Sequence, residues 1–180
     1  MSDRFDFLEG EEIYSTVVLK GLLGAKEKVR LATANLKNLH ADTGGKRYTS
    51  AASFLFKLAK EGVTVEILHG AVPSGPLLAE LREAWPPPED RLVLKLCPRV
   101  HFKALIVDYS RLYMGSANFT GAGMGGKSAR RRNFEVGLWT ESPEFLDRVN
   151  MLFDRIWFGE ECGNCGRKAH CPVPLEVFAP

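Results

Sequence analysis

His101 and Lys103, then Asp108 after four further residues and Gly115-Ser116-Ala117-Asn118 after six more, put an imidazole, an ammonium, a hydroxyl and a carboxamide within about 18 residues of chain. On a strand, side chains two apart share a face, so His101 and Lys103 are expected to project together while Phe102, Leu105 and Val107 pack elsewhere. A second strand ending in Gly115-Ser116-Ala117-Asn118 can bring a hydroxyl and a carboxamide to the same point, with Gly115 permitting close backbone approach. Such a set can hold a tetrahedral phosphoryl group.

At every specified position, His-x-Lys-x4-Asp-x6-Gly-Ser-x-Asn resembles the signature of the phospholipase D superfamily. Six fixed identities at fixed spacing arise by chance roughly once in 10⁷ to 10⁸ start positions at ordinary residue frequencies. The resemblance implies a two-step displacement that needs no metal. His101 attacks phosphorus to give a phosphohistidine, and water later releases the product. Lys103 and Asn118 would bind the non-bridging oxygens, with Ser116 assisting. Asp108 would act directly or orient its neighbours, and as a residue closing a strand it also reads as a turn former. A neutral nucleophilic imidazole needs an acceptor on its other ring nitrogen. Glu135 is the candidate, because the family commonly carries an acidic residue downstream of the Asn.

The family mechanism uses two histidines, and this chain has one copy of the motif. His40, His69 and His170 head no second copy and read as loop or surface residues. A two-fold homodimer that sets two copies of His101 across one cleft is the simplest repair.

The elements that must position these residues follow from hydrophobic spacing. Ile13, Val17, Leu19, Leu22 and Leu23 predict a helix within residues 11–27, and Val29, Leu31 and Thr33 a strand. The run 38–47 reads as a loop, 48–61 as a helix ended by Gly62, and 63–68 as a second strand. A short helix around Leu77–Leu81 must stop at Pro86-Pro87-Pro88. Strands are then expected at 92–96, 101–108, 112–115 and 134–139. Ser142 and Pro143 announce a final helix over 142–158. This order predicts an α/β fold of phospholipase D type, a mixed sheet flanked by helices on both faces. The run 121–132, GAGMGGKSARRR, has no apolar period and reads as a mobile loop.

The 180 residues, 45% of them hydrophobic, suffice for one core. We expect a catalytic domain over 1–158 and a cysteine-containing tail, 159–180, packed on it. Twenty-four basic against 22 acidic residues leave a net charge of +2, so any anion preference must be local. No stretch reaches 18 apolar residues and the start is acidic, so a cytoplasmic protein is the expectation. Cys162-x2-Cys165-x5-Cys171, with Cys97 four residues before His101, suggests a structural Zn²⁺ or [4Fe-4S] site, with His170 an alternative zinc ligand.

For the substrate, Lys127, Arg130, Arg131 and Arg132 could grip phosphates flanking the scissile one, with Arg99 and Lys46-Arg47 on the rim, which favours a nuclease on DNA or RNA. A phospholipid hydrolase or phosphatidyl transferase is the alternative and would need an apolar entry surface at a membrane lipid. A non-catalytic nucleic-acid-binding scaffold is the third reading.

Overall fold

Short runs of valine, leucine and isoleucine between polar turns form a mixed sheet of seven strands in the computed structural model, which describes residues 5–42, 48–84, 86–87, 90–172 and 174–176. In chain order the elements are β1 (Phe5–Glu9), α1 (Glu11–Ile13, continued by π-type winding over Tyr14–Leu22), β2 (Lys28–Thr33), β3 (His40–Asp42), β4 (Tyr48–Ser50) and α2 (Ala51–Lys60). They continue as β5 (Thr64–His69), α3 (Gly75–Ala84), β6 (Leu92–Leu96), β7 (Lys103–Val107), β8 (Arg111–Gly115), β9 (Val136–Thr140) and α4 (Pro143–Trp157). The sheet order is β1-β9-β8-β7-β2-β5-β6, with β3 and β4 paired separately. Strands β2, β5 and β6 are parallel, and the remaining pairings are antiparallel.

Helices cover both faces, as the element order predicts. On one face Val17 and Leu22 of α1, Phe54 and Leu58 of α2 and Leu77 of α3 pack against Val29, Val65 and Leu105. On the other, Phe153 and Trp157 of α4 meet Ala32 and Leu68, while Leu146 meets Ala104, Ile106 and Leu112. Leu105 and Val107 continue below Lys103 on its own side of β7, so they pack beneath the site residue and not on the opposite face.

Four expectations need correction. Residues 5–9 form an edge strand on β9, with Phe5 edge-on to Phe145 of α4 at 5.1 Å, where the polar start gave no strand signal. Part of the expected loop pairs as β3 with β4, and Ser50, by accepting from the Ser53 N–H, starts α2 later than its apolar pattern does. Gly121 to Gly125 is not a free loop: Met124 is 2% exposed and belongs to the core. His69 is fully buried, its Nδ1 2.9 Å from the Ala71 carbonyl, and burial lowers its pKa. Residues 43–47, including Lys46-Arg47, lie outside the described residues.

Because β7 and β9 run against β2, β5, β6 and β8, one end of the sheet collects the exits of β2, β5, β6 and β8 and the entries of β7 and β9. His101, Lys103, Ser116, Asn118 and Glu135 all fall at that end.

Candidate active site

Lys103, the first residue of β7, pairs with Gly115, the last of β8, and Gly115 in turn pairs with Gly137 of β9. His101 is exposed just before β7. The Lys103 ammonium donates to the His101 carbonyl at 2.6 Å and stands 3.4 Å from its Nδ1. The cation is therefore anchored to main chain beside the imidazole, and its place does not depend on the ring.

The β8–β9 register continues past Gly115 to set Ser116 opposite Val136, next to Glu135. The Ser116 hydroxyl makes a short hydrogen bond to one Glu135 carboxylate oxygen and accepts from the Val136 N–H at 3.1 Å. Asn133 Nδ2 donates to the other Glu135 oxygen at 3.1 Å. Glu135 was expected to hold the His101 ring; its carboxylate instead orients Ser116, and Lys103 is the group beside His101 Nδ1.

Asn118 is fixed from a strand that the motif does not contain. Its Oδ1 accepts from the Asn35 N–H at 3.0 Å and lies 3.4 Å from the hydroxyl of buried Thr33, which itself accepts from the Phe119 N–H at 3.0 Å. With its oxygen committed, the carboxamide has its NH₂ left to donate. Thr33 and Asn35 are thus positioning residues missed in the sequence. They lie more than 80 residues from Asn118, and nothing in their local spacing marks them.

Asp108 does not join the site. It closes β7 at the opposite end, and five residues of strand place it roughly 16 Å from Lys103. There its carboxylate accepts from the N–H groups of Lys26 (3.0 Å), Glu27 (2.8 Å) and Lys28 (3.2 Å) and from Arg111 (3.0 Å). Burial alone would raise its pKa, but the N–H groups of Glu27, Lys26 and Lys28 and the Arg111 guanidinium outweigh it and hold the carboxyl below its ordinary value. Asp108 ties the start of β2 to the end of β7.

Gly115 also has a different task from substrate approach. A side chain there would meet the Val136 carbonyl at 2.5 Å and the Tyr113 hydroxyl at 2.6 Å, and one at Gly137 would meet the Tyr113 ring at 2.2 Å. The two glycines let three strands close over Tyr113, whose hydroxyl burial, and less so the Glu135 charge, push up to about 12.

A family model described as "Cardiolipin synthase, PLD-like domain" matches residues 18–157. The chain belongs to the phospholipase D-like family. The fold of this phospholipase D-like domain is similar to that of NucT from Helicobacter pylori, at 16% identity and a TM-score of 0.63, over 86% of this chain and 95% of that one. It is likewise similar to Nuc from Salmonella typhimurium, described as a phospholipase D family member, at 17% identity and 0.60, over 87% and 95%. A third similar structure is TrmBL2, described as an archaeal chromatin protein, at 17% and 0.54, over 86% and 52%. At these identities the likeness concerns the fold. No curated protein matches the chain.

Grooves of opposite character flank the phospholipase D-like motif. On the Ser116 side a cleft of ≈ 790 Å³ is lined by Glu9, Glu11, Glu12 and Glu135 with Arg132. On the His101 side a groove of ≈ 560 Å³ is lined by Pro98, Arg99, His101, Asn164, Gly166 and Arg167. Of the basic loop, Lys127, Arg130 and Arg131 are exposed, whereas Arg132 is paired with Glu11 at 3.2 Å and so is not a free phosphate grip. The cations at the His101 groove come instead from Arg99 and Arg167, and the tail position of Arg167 gave no hint of this.

Cys97, Cys162, Cys165 and Cys171 line one further cavity, yet among the described residues no three His, Cys, Asp or Glu side chains are gathered into a metal-holding set as they stand. The expected zinc or iron-sulfur site therefore has no formed ligand group. Burial first, then the sulfurs of Cys97, Cys165 and Cys171, push the Cys162 thiol up. Cys165 is held low chiefly by the Arg167 backbone N–H, against burial, with help from Arg99. Among the described residues no helix is long and apolar enough to cross a membrane.

Proposed function

We propose that this chain is a phosphodiesterase of the phospholipase D type in which His101 attacks phosphorus, and that its substrate is a nucleic acid. The observation that carries the reading is the placement of Arg99 and Arg167 with His101 in one groove, where their charges suit the phosphates on either side of a scissile one, Arg99 exchanging its long 4.0 Å contact with Glu161 for phosphate. TrmBL2, which shares the fold, is described as showing a novel mode of DNA binding, and this agrees with a nucleic-acid ligand.

In the proposed reaction the Lys103 ammonium and the Asn118 NH₂ draw negative charge from the non-bridging oxygens, which makes phosphorus a better electrophile. The imidazole forms the P–N bond as the P–O bond to the leaving group breaks. A second histidine supplies the proton to that leaving oxygen. Water then attacks phosphorus, the same second histidine accepts its proton, and His101 is released. Ser116, oriented by Glu135, completes the cradle.

Since the chain carries one motif, the second histidine is the His101 of another copy in a two-fold dimer. Phe134 and Val136 stand exposed beside Glu135, an apolar surface next to the site that a second copy would cover. Sedimentation velocity is expected to give a dimer at the concentrations where the enzyme turns over. A strictly monomeric enzyme with full activity on dilution would contradict this.

One observation favours a phospholipid substrate. A groove of ≈ 290 Å³ beside His101 is lined by Phe102, Leu152, Ile156 and Leu175, and Met151 and Phe158 are exposed nearby on and after α4. The sequence had shown no such surface. Cleavage of single-stranded DNA, duplex DNA, RNA and cardiolipin vesicles by wild-type and His101→Ala protein, in EDTA with no added metal, separates the readings. Nucleic-acid cleavage lost in the variant is the expected result. Cleavage of cardiolipin alone would reverse the assignment, and cleavage of none would favour a binding scaffold.

A further inference from the structure

The segment after α4 is held without a core. None of its described residues from Phe158 to Glu176 is buried, yet it returns to the chain between β6 and β7. Arg167 donates to the Pro98 carbonyl at 2.9 Å, and Leu175 packs close over Gly159, where a side chain would meet it at 2.2 Å. Consecutive tight turns fold the segment: the Cys162 N–H donates to the Gly159 carbonyl (3.0 Å), that of Cys165 to Cys162 (3.3 Å), that of Lys168 to Cys165 (3.2 Å) and that of Cys171 to Lys168 (3.3 Å). Ordering so many residues costs conformational entropy that a surface without buried apolar groups does not offset. A cross-link to the turn before β7 would supply the difference.

The turns set three cysteines along the same cavity as a fourth from a remote stretch. Cys97, Cys162, Cys165 and Cys171 all border one cavity of ≈ 30 Å³ between the segment and the end of β6. A space of that size holds about one or two water-sized occupants, which suits a single ion better than the eight atoms of a four-iron core. Four sulfur donors favour Zn²⁺ among common single ions.

We propose that Cys97, Cys162, Cys165 and Cys171 bind one Zn²⁺ ion, which ties the C-terminal segment to the turn leading into His101 and so fixes the groove wall that carries Arg167. The second half of this inference rests on the nucleic-acid reading above; the first does not. Binding displaces protons from the thiols, and the four sulfurs, which as they stand form no ligand set, close onto the ion by side-chain rotation. The ion is structural. It fixes the distance between the Arg167 guanidinium and the imidazole that Arg99 also flanks.

Metal analysis of protein purified without chelator, from cells grown with zinc, is expected to give one zinc per chain, released as four equivalents of an organomercurial are taken up by the four sulfurs. Cys171→Ser is expected to lower zinc content at least about fivefold and to speed proteolysis within 159–176 at least about tenfold, because the open segment becomes the cleaved state. Should that variant fail to fold, the mercurial-treated wild-type chain, reloaded with Zn²⁺ in excess thiol, gives the same comparison. Wild-type protein with four free thiols and no zinc, with disulfides, or with an iron chromophore would overturn the zinc assignment. Arg167→Ala, with zinc unchanged, is expected to raise KM for nucleic acid about tenfold with kcat nearly constant. An unchanged KM would remove the segment from the groove while leaving the metal assignment to stand on the zinc content.

Discussion

His101→Ala is expected to lower phosphodiester cleavage by about 10⁴-fold or more while shifting Tm by less than about 2 °C. The two halves of that result have separate causes. Removing the nucleophile leaves only binding and electrostatic stabilisation to promote attack by water. Stability is spared because His101 is exposed and the Lys103 ammonium stays anchored to the residue-101 carbonyl, which alanine retains. Thermal melts alongside initial rates measure both. A variant with rate loss under about tenfold would mean that another residue attacks.

Asp108→Ala is expected to do the reverse. Its carboxylate takes three main-chain N–H groups at the start of β2 together with Arg111, and truncation leaves those donors without it. Hydrogen bonds to a charged acceptor contribute about 1.5–3 kcal/mol each but not additively, so a loss of about 2–4 kcal/mol is expected. For a domain of this size that is a Tm lower by roughly 5–15 °C. Below that temperature kcat should stay within about threefold of wild type, since the residue lies roughly 16 Å of strand away from Lys103.

The same carboxylate gives the pH dependence its sign. Its folded pKa is lowered, so the unfolded chain binds the proton more readily. The stability it contributes is present above the unfolded value of about 3.9 and is lost as pH falls through the folded one. Urea unfolding from pH 6 down to pH 2 should therefore show an acid loss in wild type that is flattened in Asp108→Ala. A variant with normal stability and no activity would return Asp108 to the site.

That contrast marks what residue spacing reveals and what it hides. Strand β6 falls on the residues its pattern predicts, Leu92–Leu96, and α4 differs by a residue at each end, because apolar period and a Pro at the first turn are local properties. The motif likewise named His101, Lys103, Ser116 and Asn118, which share one end of the sheet. Spacing counts residues without fixing which end of a strand each occupies, so Asp108 was grouped with residues that β7 holds apart. Cross-strand register is equally hidden. The pairing of Gly115 with Gly137 sets Ser116 opposite Val136, so the adjacent Glu135 reaches Ser116 and not His101, and the exit of β2 supplies Thr33 and Asn35 to Asn118. Strand β1 gives no strand signal because an edge strand pairs on one side only and carries charged residues among its aromatics. Arg167 escaped because its tail reaches the site only through three-dimensional folding.

Nucleophilic attack by His101 is tested most directly by trapping the intermediate. Protein mixed with bis(p-nitrophenyl) phosphate and quenched in alkali, where phosphohistidine survives, is digested and mapped by mass spectrometry. The expected result is a p-nitrophenyl phosphoryl adduct on the peptide carrying His101, absent from His101→Ala. A reproducible adduct on another residue, or rapid turnover with His101 unmodified at every quench time, would contradict the mechanism.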